Sequence, residues 1–265
     1  MSIKISVVII AKNEEKKLPD CLKSVAGWAD EIILVDDHST DKTYEIAKQY
    51  TDKIFSRKMD LEGKHRNYAV AQAKNDWVFL LDCDERASEE LKKEITQTLT
   101  SHDGKTMAYW IPARNFLGEF ELKHGGWQAP HLRMYNKNFL KWREVPHDVV
   151  HPGYNFDPKY TGGNLKNFLI HYGFANVEEF IRKVNNQTTL EAIKWHLSGT
   201  KMGLGKAIWR MIDRFFRRFI GKGGYKDGYY GFVGAVLSGF YQFAAYSKLR
   251  EIKERGAYLE EFKNK

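Results

Sequence analysis

The sequence predicts an α/β fold with a mostly parallel sheet, helices on both faces of that sheet and a helical extension at the C-terminus. In the first hundred residues, short runs rich in β-branched residues alternate with segments of helical periodicity. This alternation is typical of parallel strands joined by right-handed helical crossovers. The predicted strands are residues 5–10, 32–35, 53–56 and 77–81.

The segments between these strands carry helix signals of their own. Ser39 or Asp41 can cap the helix that follows the second strand, and Ser88 can cap the helix that follows the fourth. The first helix is predicted from four apolar residues at the i, i+3, i+4, i+7 spacing of one helix face, Leu18, Cys21, Leu22 and Val25.

The pattern changes in the second hundred residues. Residues 108–170 contain β-prone segments interrupted by Gly and Pro, which predicts an antiparallel edge with loops, and a helix is predicted from Val177 to about Ser198. We expect a catalytic domain over residues 1–175, with a nucleotide-binding half to about residue 105 and an acceptor half from about residue 106. Residues 176–265 form the helical, basic and aromatic extension.

Composition excludes several classes of protein. The 265 residues are 43% hydrophobic and 29% charged, which is typical of a globular chain and not of a disordered or multispan membrane protein. Cys21 and Cys83 lie far apart and match no zinc-site spacing, so we expect free thiols in a reducing compartment, the cytoplasm. The apolar run over residues 5–11 is too short for the core of a signal peptide.

The net charge of +8 fits a nucleic-acid binder, a membrane-surface protein or an enzyme for phosphorylated substrates. Between Lys201 and Lys226 there are eight Lys or Arg residues and a single acid, Asp213. The excess charge therefore lies almost entirely in the C-terminal extension.

Two of the predicted strands end in carboxylates. The second strand runs into Asp36 and Asp37, and the fourth runs into Asp82 and Asp84. Because ligands bind at the carboxyl ends of strands in an open parallel sheet, both acidic clusters should face one crevice. Oxygen ligands and clustered negative charge favour a hard divalent cation, Mg²⁺ or Mn²⁺. The alternative for each pair is an ordinary turn followed by a helix cap.

Three ordered motifs resemble those of the GT-A fold family 2 glycosyltransferases: residues 7–15 (VVIIAKNEE), 35–41 (VDDHSTD) and 81–85 (LDCDE). Five further segments resemble the lipopolysaccharide-core β-glucosyltransferase branch, and they are residues 114–118, 125–127, 145–148, 171–172 and 227–232. The resemblance covers about residues 4–250, and the ordered series is more specific than any single motif.

The resemblance implies roles at a nucleotide-sugar site. Asp37 would contact the base, Asp82 would lie near the ribose, and Asp84 would bind the metal ion, with His171 completing the coordination. The full set that the resemblance implies for donor binding is Ile10, Ala11, Asn13, Glu14, Asp37, Lys64, Arg66, Asp82, Cys83 and Asp84. Lys64 and Arg66 would approach the base and phosphates, unless they belong to a solvated helix face.

The resemblance also implies an inverting reaction with Asp148 as the general base on the acceptor hydroxyl. Asp148 stands where Glu is more usual in this branch, so its carboxylate reaches one methylene less far. Arg114, Asn115 and Trp127 would form the wall that faces the sugar, although Trp127 can equally belong to the core.

The function implied is transfer of a sugar, with glucose from UDP-glucose as the expected donor, to a hydroxyl of a glycan or glycolipid such as lipopolysaccharide core. A polyprenyl-phosphate glycosyltransferase is the first alternative, and Asp148 would be dispensable there. A sugar nucleotidyltransferase needs a glycine-rich loop, which residues 12–15 lack. A non-enzymatic nucleotide-sugar or nucleic-acid binding module is the last alternative, and we expect no nucleic-acid partner.

The basic stretch predicts docking on an anionic membrane surface, at the inner face of the cytoplasmic membrane. Residues 207–220 form a basic amphipathic pattern, and residues 228–246 are apolar but contain tyrosines, glycines and a glutamine. We therefore expect interfacial burial or packing on protein and not a membrane span. The alternative is a helical subdomain packed on the core or a homodimer interface.

Overall fold

The computed structural model describes residues 3–145 and 153–259. The described residues form two compact units. The first contains residues 3–114, 129–143 and 153–171, and the second contains residues 115–128, 144–145 and 172–259.

A seven-stranded sheet organises the first unit. Its strands are β1 (Ile5–Ala11), β2 (Glu31–Asp36), β3 (Ile54–Ser56), β4 (Trp77–Leu80), β6 (Thr106–Ile111), β9 (His131–Asn136) and β12 (Thr161–Asn164), and the shorter β5 (Glu85–Ala87) lies outside it. The order is β12-β6-β9-β4-β1-β2-β3. All neighbours are parallel except β9, which is antiparallel to both β4 and β6. The predicted mostly parallel sheet is therefore confirmed.

The antiparallel strand β9 lies inside the sheet, whereas the sequence predicts an antiparallel edge. Met134 packs in the core on one face of the sheet, and Leu132 and Tyr135 pack in the core on the other face. A strand covered on both faces gains burial that an edge position does not offer.

Helices cover both faces of this sheet. One face carries α1 (Leu18–Val25), α2 (Thr43–Ala47) and α4 (Glu89–Thr100), and the other carries α3 (Glu62–Ala71). The four apolar residues that predict α1 are all fully buried. Ser88 accepts a hydrogen bond from the Leu91 N–H at 3.2 Å and caps α4 as predicted.

Short strands complete the list. They are β7 (Ala113–Leu117), β8 (Phe120–Leu122), β10 (Leu140–Trp142), β11 (Tyr154–Phe156) and β13 (Leu169–Phe174). In the first unit β13 pairs with β5 through residues 169–171, and β10 pairs with β11. In the second unit residues 115–122 form the β7–β8 hairpin.

Three helices form most of the second unit: α5 (Val177–Leu197), α6 (Leu204–Phe216) and α7 (Gly228–Arg255). A π-helical turn (Arg217–Gly221) and a 3-10 turn (Gly224–Asp227) join the last two. Helix α7 packs against both α5 and α6. Within the described part of the chain, no helix combines the length and apolar character needed to cross a membrane.

Two glycines of α7 permit close backbone contacts. A Cβ on Gly239 would lie 2.8 Å from the Met211 carbonyl oxygen of α6, and one on Gly231 would lie 1.9 Å from the Gly224 carbonyl oxygen. Gly231 and Gly239 are thus sites where another segment approaches the α7 backbone.

Candidate active site

The carboxyl ends of β1, β2 and β4 meet at one edge of the sheet. Ala11 pairs with Asp36, and the Val8 carbonyl accepts from the Leu81 N–H at 3.1 Å just beyond β4. The residues that follow these strands therefore lie side by side, as the parallel topology requires.

The loops that follow β1 and β2 hold each other in place. The Asn13 N–H donates to the Ser39 hydroxyl at 2.9 Å, and the Asn13 side-chain carbonyl accepts from the Thr40 N–H at 2.8 Å. Asn13 and His38 both have a φ of 53°, a left-handed conformation that non-glycine residues seldom adopt. Ser39 is therefore engaged with the first loop, whereas Asp41 accepts from the Thr43 N–H at the start of α2.

Asp37 lies at the base of this edge and is almost completely buried. Its carboxylate accepts from Lys12 Nζ at 2.9 Å and from the Met59 N–H at 2.8 Å. Burial alone would raise the pKa of Asp37, but these hydrogen bonds and the Lys12 charge lower it below the usual value. Asp37 is therefore a carboxylate held in a fixed position at this edge of the sheet.

The other predicted donor-site residues beside β1 are held mainly by hydrogen bonds of their backbone groups. The Ala11 carbonyl accepts from the Asp37 N–H at 2.8 Å, and the Glu14 N–H donates to the Thr43 hydroxyl at 2.7 Å. The Cys83 thiol is buried and points at the Ile10 carbonyl at 3.4 Å. Burial raises the pKa of Cys83 well above its usual range, so this thiol is not a nucleophile.

Three carboxylates follow β4, and a single arginine serves two of them. Arg133, on β9, donates to Asp82 at 2.6 Å and to Glu85 at 2.5 Å. Burial would raise the pKa of Asp82, but the Arg133 charge lowers it. At Glu85, which is 2% exposed, burial dominates over Arg133 and raises the pKa to about 7. One guanidinium thus serves both of these carboxylates.

The third carboxylate, Asp84, lies beside His171. Asp84 Oδ1 is 3.4 Å from His171 Nε2, and both side chains are mostly buried. Burial would lower the pKa of His171, but the hydrogen bond to Asp84 and its charge raise it. The two residues that the sequence predicts as metal ligands are thus adjacent. Across residues 3–145 and 153–259, no group of three or more His, Cys, Asp or Glu side chains could hold a metal ion.

The predicted basic residues of α3 are paired with acids. Lys64 Nζ lies 2.7 Å from Asp60, and Arg66 contacts Glu62 at 2.8 Å and stacks over the Trp142 ring at 5.0 Å. The Arg66 charge nevertheless reaches Asp82, where it contributes to the lowered pKa. Arg66 therefore belongs to the electrostatic surroundings of the acidic cluster.

The predicted sugar wall is distributed over both units. Arg114 is exposed and belongs to the first unit, whereas Asn115 and Trp127 belong to the second. The Asn115 side chain is buried and donates to the Trp127 carbonyl at 2.6 Å, while the indole packs against Phe174 and Phe180. The predicted general base, Asp148, lies outside the described residues.

Two side chains of the site are absent from the sequence-based prediction. Arg133 interrupts the apolar strand Leu132–Tyr135, and a charged residue in such a strand is the signal that would have found it. His65 is fully buried on α3, and neither ring nitrogen has a hydrogen-bond partner in the described part of the chain. Burial and then the Arg57 charge lower its pKa, so His65 is a neutral imidazole near Asp37.

Comparison with known proteins identifies similar chains. An uncharacterized glycosyltransferase of Rickettsia prowazekii is 29% identical over 262 residues, covering 94% of this chain and 87% of the relative. The lipopolysaccharide core biosynthesis glycosyltransferase LpsC of Rhizobium meliloti is 27% identical, covering 92% of this chain and 91% of the relative. The structure of TarS 1–349 of S. aureus matches 97% of this chain and 93% of that one, with a TM-score of 0.47 and 16% identity.

The profile of glycosyl transferase family 2 matches residues 6–156, which contain β1, β2, β4 and the acidic cluster. This match spans more than half of the chain. The chain therefore belongs to glycosyl transferase family 2, and it is a glycosyltransferase with the α/β GT-A fold that the sequence predicts.

Proposed function

We propose that this enzyme is an inverting glycosyltransferase that transfers glucose from UDP-glucose to a hydroxyl of a glycan or glycolipid acceptor such as lipopolysaccharide core. The acidic cluster after β4 carries the proposal, because Asp82 and Glu85 share one arginine and Asp84 lies beside His171 at the same edge of the sheet. The relation to LpsC along most of both chains supports the choice of acceptor class.

A divalent cation, Mg²⁺ or Mn²⁺, fits the donor set. Asp84 and His171 offer a carboxylate oxygen and an imidazole nitrogen that lie 3.4 Å apart. Two protein ligands leave room for oxygens of the donor diphosphate. When bound, the cation would neutralise charge on the departing diphosphate.

The other residues of this edge would orient the nucleotide. The fixed Asp37 carboxylate would accept from the base, and Asp82 would accept from the ribose. Arg66 would stabilise the diphosphate electrostatically, with Lys64 available once it leaves its exposed pair with Asp60. Charges held in place before the reaction stabilise a developing anion without reorganisation.

Asp148 would complete the reaction. Its carboxylate would take the proton from the acceptor hydroxyl as the oxygen attacks the anomeric carbon, while the bond to the diphosphate breaks on the opposite face. This single displacement inverts the anomeric configuration and needs no covalent enzyme intermediate. Arg114, Asn115 and Trp127 would form the acceptor side.

The helical unit would hold the enzyme on an anionic membrane surface. Two rows of exposed apolar residues, here called the apolar face, run at helical spacing along α6 with its π-helical turn and along α7. They are Leu204, Ile208, Ile212, Phe216 and Ile220, and Tyr229, Phe232, Val236 and Phe240, all between 39% and 70% exposed. Exposed cations of the same unit include Lys206 and Arg217. Apolar rows with basic neighbours match the chemistry of an anionic bilayer interface.

The proposed reaction is tested with a panel of nucleotide-sugars. Thermal unfolding is measured with Mn²⁺ and each donor, because a ligand at 100 times its dissociation constant adds about 2.7 kcal/mol of stability. We expect UDP-glucose to give the largest shift, and transfer to a lipopolysaccharide-core acceptor to give a β-linked product. Stabilisation by another nucleotide-sugar alone would contradict the assignment of UDP-glucose as the donor. An α-linked product would contradict the inverting stereochemistry.

A further inference from the structure

The second unit contains a cavity of about 470 Å³ between α5, α6 and α7. Its volume lies within the range of small-ligand pockets. The loop residue Trp127 and the α5 residue Phe180 provide apolar walls, and Leu237 of α7 adds a third. All the residues that line it belong to the helical unit.

The charged side chains that line the cavity are mostly basic. Lys194, Arg210, Arg214 and Arg218 line it, against one carboxylate, Glu191. The three arginines are spaced by four residues, so they share one face of α6 and the turn that follows it. The nearby acid Asp213 pairs with the exposed Arg217 instead. Crowding like charges in a partly buried space is unfavourable unless an anion joins them.

Arg218 is held by two contacts, and its guanidinium can donate further hydrogen bonds. Its Nη1 donates to the Gly125 carbonyl at 3.0 Å, and its guanidinium lies 4.2 Å from the Trp127 ring centroid. Among the residues that the structure describes, no group hydrogen-bonds to the buried Nε atom. Burial and then the Arg214 charge lower the pKa of Arg218 to about 10.

A second unpartnered polar group lines the same cavity. Gln242 is 7% exposed, and within residues 3–145 and 153–259 its buried side-chain carbonyl has no hydrogen-bond partner. A buried amide without a partner is costly, so a ligand that supplies one is stabilised. A hydroxyl donor would satisfy Gln242, whereas a phosphate or carboxylate would satisfy the arginines.

We propose that this cavity is a binding pocket for an anionic sugar, a monosaccharide that carries a phosphate or carboxylate. The anionic group would lie between Arg214 and Arg218, and sugar hydroxyls would donate to Gln242 and Glu191. The apolar walls suit the C–H faces of a sugar ring. This role rests on the proposed reaction, in which the pocket would select acceptors that carry an anionic sugar. Binding of the sugar to the pocket does not depend on transfer.

Calorimetric titration of the full-length enzyme tests the pocket. The probes are glucose 6-phosphate, glucuronate, glucose and inorganic phosphate. We expect one of the anionic sugars to bind at least tenfold more tightly than glucose and than inorganic phosphate. Arg214→Met, which keeps the aliphatic stem, should weaken that binding tenfold or more, the effect of losing a charge-assisted hydrogen bond.

Two further variants make the test specific. Gln242→Met has a similar volume and should weaken the sugar probe while leaving inorganic phosphate binding unchanged. Arg250→Met is the matched control, because Arg250 is an exposed arginine of the same unit that pairs with Glu254 and does not line the cavity. The Arg250→Met variant should bind the anionic sugar with the same affinity as the unmodified enzyme.

The remaining outcomes overturn the proposal. These are no binding of either anionic sugar at 10 mM, equal binding of inorganic phosphate, or unchanged affinity in both Arg214→Met and Gln242→Met. Displacement of the probe by UDP would assign it to the donor site instead. Preference for phosphatidic acid vesicles over the sugar probes, lost in Arg214→Met, would assign the arginines to a lipid headgroup. The anionic sugar should still bind to Asp84→Ala. This result would show that the pocket works even if the proposed transfer fails.

Discussion

At the residue scale, the acidic cluster is defined by one cation shared between two carboxylates. Arg133 contacts both Asp82 and Glu85, and its own side chain is 11% exposed. Breaking a buried pair by removing one partner is costly, because the remaining charge stays buried. Arg133 therefore stabilises the fold at the place where the donor would bind.

Arg133→Met should destabilise the enzyme by about 3–5 kcal/mol, because Glu85 keeps its burial and loses its guanidinium partner. Urea unfolding measured in EDTA checks this. Arg250→Met, which breaks an exposed pair on α7, should cost less than about 1 kcal/mol. Equal effects of the two variants would show that the Arg133 pairs contribute no more than a surface ion pair.

Asp148→Asn addresses the proposed general base. The amide has the same shape but takes no proton, so turnover should fall by roughly 10²–10⁴ while UDP-glucose affinity is unchanged. Transfer rate and donor dissociation constant are measured separately. Reduced donor affinity with normal turnover would remove Asp148 from the catalytic role, and an unaffected enzyme would favour a phosphate acceptor.

At the scale of elements, local patterns predict what local forces determine. The strands β1, β2 and β4, the helix α1 and the Ser88 cap follow from periodicity and capping within a few residues. The place of β9 within the sheet does not, since strand order depends on burial against distant segments. Arg133 escapes prediction for the same reason, because its partners Asp82 and Glu85 lie about fifty residues away in sequence.

The site shows the same division. The sequence predicts Asp84 and His171 together only through a family resemblance, and the structure brings them to 3.4 Å. The cations of α3 are visible in the sequence, but their pairing with Asp60 and Glu62 depends on side-chain positions. Likewise, the basic pattern of α6 does not separate arginines that line a cavity from the exposed Arg217.

The contact between α6 and α7 yields a prediction for a pair of glycines. Gly239→Ala should destabilise the enzyme by about 1–3 kcal/mol, because the added Cβ would lie 2.8 Å from the Met211 carbonyl oxygen. Gly205→Ala, with no atom within 4 Å of the added Cβ, should instead stabilise by up to about 1 kcal/mol. Chemical denaturation measures both, and a stabilising Gly239→Ala would contradict the described packing.

At the scale of the whole molecule, the net charge of +8 and the apolar face lead to a membrane-binding prediction. Co-sedimentation with vesicles should require anionic lipid and weaken with salt. Lys206→Glu combined with Arg217→Glu should reduce binding more than tenfold, since each cation contributes about 1 kcal/mol near an anionic bilayer.

The apolar contribution is tested separately. Phe216→Ser should also weaken vesicle binding, whereas Ile181→Ser, at an exposed apolar position of α5 outside the apolar face, should not. Binding that is insensitive to salt would indicate deep insertion. Absence of binding to anionic vesicles would favour a protein partner or a second copy of the chain on the apolar face.

The central claim is that the acidic cluster after β4 holds the diphosphate of a nucleotide-sugar through a divalent cation. Calorimetric titration of UDP in the presence of Mn²⁺ tests it most directly, with Asp20→Ala as an exposed-carboxylate control. Asp84→Ala or EDTA should weaken UDP binding at least tenfold, and the variant should still unfold in a single cooperative transition, as the unmodified enzyme does. UDP binding that is unchanged in Asp84→Ala and in EDTA would contradict the claim.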